Sequence, residues 1–154
     1  MGLDMFLNKV KIEREEVAYW RKANAINKWF EDHCADGDLE NCKEYKVTKE
    51  QLIQLKETCE KVIKASKLVT GKVVSGEKYN SETKKFEPCY QIGKKVEDSS
   101  FAEELLPTSE GFFFGSTQYD EWYINDLEDT VSQINKILET VDFDEYDIMY
   151  HAWW

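Results

Sequence analysis

The chain has 154 residues, 42% of them apolar and 33% charged, with a net charge of −11 at pH 7. That is enough apolar residue for one ordinary core without disulfide or metal staples, so a single domain spanning 1–154 is expected. No apolar window approaches about eighteen residues and no charged segment precedes an apolar N-terminal run, so neither a membrane span nor a signal peptide is expected.

In chain order, "LDMFLNKVKI" is β-prone and partly alternating (Phe6, Val10, Ile12), which predicts a strand near residues 3–11. Tyr19, Ala23, Ile26 and Phe30 recur at spacings of four, three and four, which predicts a helix from about Glu13 to His33, ended by Gly37 and its acidic neighbours. "CKEYKV" reads as a brief extended piece. "TKEQ" is a capping box: Thr48 caps a second helix and Gln51 reaches back, with Leu52, Leu55, Cys59, Val62 and Ile63 as its buried stripe to about Lys67.

From 68 to 98, two β-prone runs flank a polar "SETK" and read as a hairpin projecting from the domain, or as a mobile loop. "LLPTSEG" is a turn, and "FFF" between Gly111 and Gly115 is expected to be a short buried strand or the lead into the last helix. That helix, capped by Ser116 or Thr117, runs to about Val141 on Tyr123, Leu127, Val131, Ile134, Leu138 and Val141. The tail "DFDEYDIMYHAWW" is too aromatic to be merely solvated and is expected to dock on the domain or on a partner. The sum is an α+β domain, helix dominant, of three main helices packed with a small antiparallel sheet or hairpin.

Charge is divided unevenly. Residues 1–96 carry 19 Lys and Arg against 16 acids, whereas 97–154 carry 15 acids against Lys136 alone. A field of that sign repels nucleic acid and attracts basic surfaces, so direct nucleic-acid binding is disfavoured. An acidic, aromatic surface made of Asp142, Asp144, Glu145, Tyr146, Asp147, Tyr150, Trp153 and Trp154 could hold a basic protein partner, with charge speeding encounter and rings holding the complex.

A second candidate lies in "YWRKANAINKWF". On one helix, Trp20, Asn24 and Asn27 would line up beside the apolar stripe with Arg21 close by, offering stacking faces, amides and a guanidinium to a small nucleotide-like ligand. Tyr19 belongs to the same edge, and Tyr119 and Tyr123 could wall it from the last helix. The structural alternative is that Trp20 and Trp29 cover the sheet while Asn24 and Asn27 satisfy backbone groups of a neighbouring loop.

Catalysis has little to stand on. Two histidines, His33 and His151, give no Ser-His-Asp arrangement, and H-E-x-x-H, phosphate-loop and G-x-G-x-x-G motifs are missing, so no catalytic residue is assigned. Cys34, Cys42, Cys59 and Cys89 show no C-x-x-C and read as small hydrophobes in a reducing compartment. "DHCADGDLENCK" fails as a calcium loop at Cys34 and Lys43. No metal or cofactor is expected.

"MGLDM", "YWRKANAI" with "KWF", "LLP" and "GFFFGSTQYDEWY" together resemble an uncharacterised family of small bacteriophage and prophage proteins. The resemblance implies a phage or mobile-element accessory protein acting in the cytoplasm of a bacterial host. A histidine is common in that family where this chain has Asn27, so imidazole chemistry is not expected there. Two readings follow. The first is an inhibitory module directed at a basic, nucleic-acid-handling host-defence protein; the second is a binder that sequesters a nucleotide-like ligand. The sequence leaves the oligomeric state open.

Overall fold

The computed structural model describes residues 2–10 and 14–154; the expected strand end at residue 11, Ile12 and the expected helix start at Glu13 lie outside the described residues. Six strands and four helices form among them: β1 (Asp4–Val10), β2 (Arg14–Arg21), α1 (Asn24–Cys34), β3 (Tyr45–Val47), α2 (Lys49–Ala65), β4 (Leu68–Asn80), β5 (Lys85–Val96), α3 (Ser100–Leu105), α4 (Glu121–Thr140) and β6 (Asp147–Trp153). The architecture is α+β with 36% helix and 34% strand, which overturns the expected helix-dominant arrangement of three main helices with a small sheet.

Two segments account for the difference. The first is residues 14–21, expected to begin a helix, which are strand β2 instead. "VAYW" is β-branched and aromatic, and from Ala18 onward its burial alternates: Ala18 and Trp20 point inward, Tyr19 and Arg21 outward. Lys22, at φ 57°, then turns the chain in the left-handed region, and α1 starts at Asn24. The 4-3-4 spacing was a coincidence at its first member. Ala23, Ile26 and Phe30 are buried, but Tyr19 is 40% exposed.

The second is the C-terminal tail. It neither hangs free nor docks on the surface; it is β6, inside a four-stranded antiparallel sheet of order β2-β1-β6-β3. Leu3, Met5 and Leu7 from the β1 segment, Trp20 from β2, and Ile148, Tyr150 and Ala152 from β6 face the helices and share one core with Ile26, Phe30, Leu52, Leu55, Leu127 and Ile134. Tyr150 is fully buried, its ring stacked on Phe30 at 4.0 Å, and its hydroxyl donates to Asn27 Oδ1 at 2.5 Å.

Elsewhere the local chemistry reads through. Thr48 Oγ1 accepts from Gln51 N at 3.1 Å and Gln51 Oε1 accepts from Thr48 N at 2.9 Å, the expected capping box of α2. β4 and β5 pair as a hairpin along their whole length. The stripe of α4 is buried at Tyr123, Leu127 and Ile134, but its cap is Asp120 rather than Ser116 or Thr117. Asp120 Oδ1 accepts from Trp122 N and Tyr123 N. The run Phe112–Phe114 is a turn, not a buried strand: Phe112 is 78% exposed and only Phe114 is buried, its ring against Gly111 where a Cβ would meet it at 2.5 Å.

Tyr150→Phe would keep the ring stack but strand the Asn27 carbonyl in the core. Urea unfolding is expected to show a loss of about 1–3 kcal/mol with the fold intact; an unchanged midpoint would show that this bond carries no stability.

Candidate functional site

The sequence-expected ligand edge does not exist as one surface, because β2 and α1 split it. Trp20 is buried in the sheet and its indole Nε1 donates to Thr130 Oγ1 at 2.9 Å. Tyr19 lies on the opposite sheet face, stacked near Phe6, with its hydroxyl donating to Asp4 Oδ1 at 2.7 Å; that bond holds the phenol above its usual range. Asn27 is committed to Tyr150. Asn24 does what the structural alternative described: its amide donates to the carbonyls of Phe114 and Ser116, and its Oδ1 accepts from Ser109 N at 3.0 Å. It clasps the loop between α3 and α4 to the start of α1.

The tyrosines are structural as well. Tyr123 is buried, its hydroxyl donating to Leu106 O at 2.8 Å, and burial pushes that phenol up. Tyr119 packs on Tyr123 and its hydroxyl accepts from Thr108 N.

The acidic, aromatic surface is divided by β6 itself. Asp142, Asp144, Glu145, Tyr146 and Asp147 lie at the start of the strand, beside Lys46 and Lys49, with Lys46 Nζ 3.3 Å from Asp147. Trp153 and Trp154 lie at its other end, where Trp154 meets Phe114 edge-on at 5.5 Å. Seven residues of strand, about 23 Å, separate the two. Tyr150, between them, is core.

What the clasp of Asn24 does create is a pocket of about 220 Å³ between the N-terminal ends of α1 and α4. One wall is the β2–α1 junction, with Arg21, Lys22 and the backbone of Ala23 to Ile26. The other is α4, with Asp120, Trp122 and Asp126, and the floor comes from Ser116 and Gln118 of the clasped loop. Of the expected site residues, Arg21, Asn24 and Tyr123 line it; Tyr19, Trp20, Asn27 and Tyr119 do not.

The pocket is electrically lopsided. On the α1 side, Ala23 supplies no side-chain cap and no acid stands in the first turn; backbone carbonyls of Lys22 and Ala23 take the N–H groups of Asn24 and Ile26, and no carboxylate of the helix itself offsets its positive end. Arg21 and Lys22 are exposed beside it; Arg21 Nε lies 3.8 Å from Asp4, and Lys22 forms no ion pair among the described residues. On the α4 side, Asp120 spends one oxygen capping its helix. Asp126 makes no side-chain hydrogen bond or ion pair among the described residues, and burial, reinforced by the charges of Asp129 and Asp120, pushes its carboxyl up to about 6.

Trp122, one turn before Asp126 on the same helix face, is 70% exposed. Sequence reasoning missed Lys22, Trp122 and Asp126. The available signal was an indole and a carboxylate four residues apart, both off the apolar stripe of a well-patterned helix.

The other chemistry in the molecule is quiet. Burial pushes the Cys34 and Cys59 thiols up to about 12, so neither is a thiolate at neutral pH. Among the described residues no group of three or more His, Cys, Asp or Glu is placed to hold a metal ion, and no helix is long and apolar enough to cross a membrane. Comparison with known proteins finds no family model, no curated protein and no solved structure that matches the chain.

Asp126 is kept at a cost. Its folded-state pKa lies above the unfolded value near 3.9, so the folded protein binds the extra proton between about pH 4 and 6 and loses stability as pH rises through that window. Asp126→Asn is expected to raise stability at pH 7 by about 1–2 kcal/mol, discounted for partial solvent screening, and to flatten the profile between pH 4 and 6. Chemical denaturation across that range checks both.

Proposed function

We propose that this protein is a small-ligand binder rather than an enzyme, and that its site is the pocket between α1 and α4. The observation that carries the reading is Asp126, a half-buried carboxylate without a side-chain partner among the described residues, in a cavity whose opposite wall carries Arg21, Lys22 and a helix start without a side-chain cap. An uncompensated carboxylate destabilises the fold, and a ligand that donates hydrogen bonds to it supplies the missing partner.

The lining specifies the ligand's polarity. It has donors at one end for Asp126, a planar ring to lie on the Trp122 indole, and an anionic group for Arg21, Lys22 and the start of α1. A nucleotide has those three parts in that order. The Watson–Crick edge of guanine, with two adjacent N–H donors, suits a carboxylate best. A cavity of about 220 Å³ is below the roughly 300–1,000 Å³ of drug-sized sites. It therefore takes the base, with sugar and phosphate across the cationic rim. Binding without turnover amounts to sequestration, a role that suits a phage or mobile-element protein in a host cytoplasm.

The alternative, an inhibitory module that meets a basic host-defence protein with the acidic, aromatic tail, has weaker support because β6 holds Asp142–Asp147 and Trp153–Trp154 apart.

Thermal-shift and calorimetric titration with GMP, AMP, CMP, UMP and cyclic dinucleotides test the proposal. A ligand at 100 times its dissociation constant should stabilise the protein by about 2.7 kcal/mol. Trp122→Ala should weaken binding by about 1–3 kcal/mol. Arg21→Ala and Lys22→Ala should weaken nucleotides but not the free nucleoside. Affinity should also fall as pH drops through about 6, where Asp126 takes up a proton. The reading fails if no nucleotide shifts the melting temperature, or if the shifts are the same in Trp122→Ala and Asp126→Asn.

A further inference from the structure

The β4–β5 hairpin leaves the body as a ribbon of 13 and 12 paired residues, about 40 Å long at 3.3–3.4 Å per residue. Apart from a single bridge between Lys95 and Asp120, no third strand lies beside it among the described residues. A two-stranded hairpin without a covered face is marginal in water.

One face of the ribbon is apolar along its length. At its base Leu68 and Val96 are paired and pack on the core. Beyond them the same face carries Ile92, Tyr90, Phe86 and Tyr79, each more than half exposed, with Tyr79 and Phe86 paired and in edge contact at 5.4 Å. The core face thus continues into solvent, with nothing among the described residues to cover it. Thr70, Lys72 and Lys94 nearer the base and Glu77 nearer the tip sit among these side chains.

The charge of this segment is the reverse of the rest. Residues 68–96 hold six lysines against three glutamates, a surplus of +3, which leaves −14 on the remainder of a chain whose total is −11. Every copy therefore carries both a cationic arm with an apolar face and an acidic body. Exposed acids follow the arm's base directly, at Glu97 and Asp98, and α3 and α4 carry further exposed acids at Glu103, Glu104, Glu128 and Asp129, with Phe101 of α3 38% exposed.

We propose that the arm docks on a second copy of this chain, each hairpin lying face-down across the α3–α4 surface of its partner in a two-fold dimer. Beyond the Leu68–Val96 base, an arm face about 35 Å by 10 Å covers about 350 Å². Two reciprocal arm-to-body contacts then bury about 1,400 Å² in total, within the size range of a standard specific interface. A nucleic acid fits this face less well, because rings and aliphatic groups outnumber its two lysines, whereas phosphate contacts need a run of cations.

Sedimentation velocity of the full chain, from micromolar to submillimolar concentration, tests this. The wild type should sediment at twice the 18.2 kDa chain mass and dissociate as salt is raised. Tyr90→Asp and Ile92→Asp should each weaken self-association by about tenfold or more. The double variant Lys72→Glu, Lys94→Glu should do the same without removing apolar surface. Both sets alter exposed side chains, and circular dichroism should match the wild type. A wild type that stays monomeric throughout, variants that dimerise as tightly as the wild type, or a dimer that forms only on addition of single-stranded DNA would each overturn the proposal.

Discussion

The fold depends on where the last strand goes. β6 inserts between β1 and β3, so β1 and β6 form the centre of the sheet, and Tyr150 joins that sheet to the first helix by both a ring stack and a buried hydrogen bond. Tyr150 is fully buried, stacks on Phe30 and donates to Asn27, both on α1. In a low-dielectric core a bond between two such groups fixes position closely, because neither has water to turn to. This contact sets the height of α1 against the sheet. Trp20, bonded to Thr130, sets α4 against β2 in the same way. The two helix N-termini are thereby brought side by side.

The pocket follows from that placement. With α1 and α4 pinned, Asn24 spends its whole amide on three backbone groups of the loop between α3 and α4, and the cavity opens where the loop is drawn across. Its polarity is a property of the caps: the Asp120 carboxylate caps the start of α4, whereas α1 has neither a side-chain cap nor an acid in its first turn. Most residues that look like a site in the sequence are scaffold: Trp20 and Asn27 lie off the cavity, and Asn24 and Tyr123 line it with their polar atoms committed to the backbone. Arg21 is the exception, facing the cavity with Lys22, Trp122 and Asp126.

How much of this could be read in the sequence differs by element. The α2 capping box and the α4 stripe are local, set by residues within a few positions of one another, and the hairpin shows as two β-prone runs about a polar turn, so all three were legible. β2 was not, because the spacing of Tyr19, Ala23, Ile26 and Phe30 fits a helix while the alternation of Val17 to Arg21 fits a strand. The choice is made by antiparallel pairing with the preceding strand β1, from Val10↔Arg14 to Asp4↔Arg21, which neither pattern includes. Docking on the domain was one of two fates legible for the tail, but the strand was not, since its neighbours β1 and β3 are more than a hundred residues away. The site residues were legible one at a time, as an Arg, an exposed indole or an acid. Which of them share a cavity is tertiary information.

The central claim is that Asp126 waits for a ligand. It is tested most directly by following the Asp126 carboxyl carbon by NMR through a pH titration of the full chain, alone and with saturating GMP. Free protein should show a midpoint near 6, and bound nucleotide should move it down as N–H donors come to favour the ionised form. A midpoint in the ordinary aspartate range near 3.9, unmoved by nucleotide, would contradict the account.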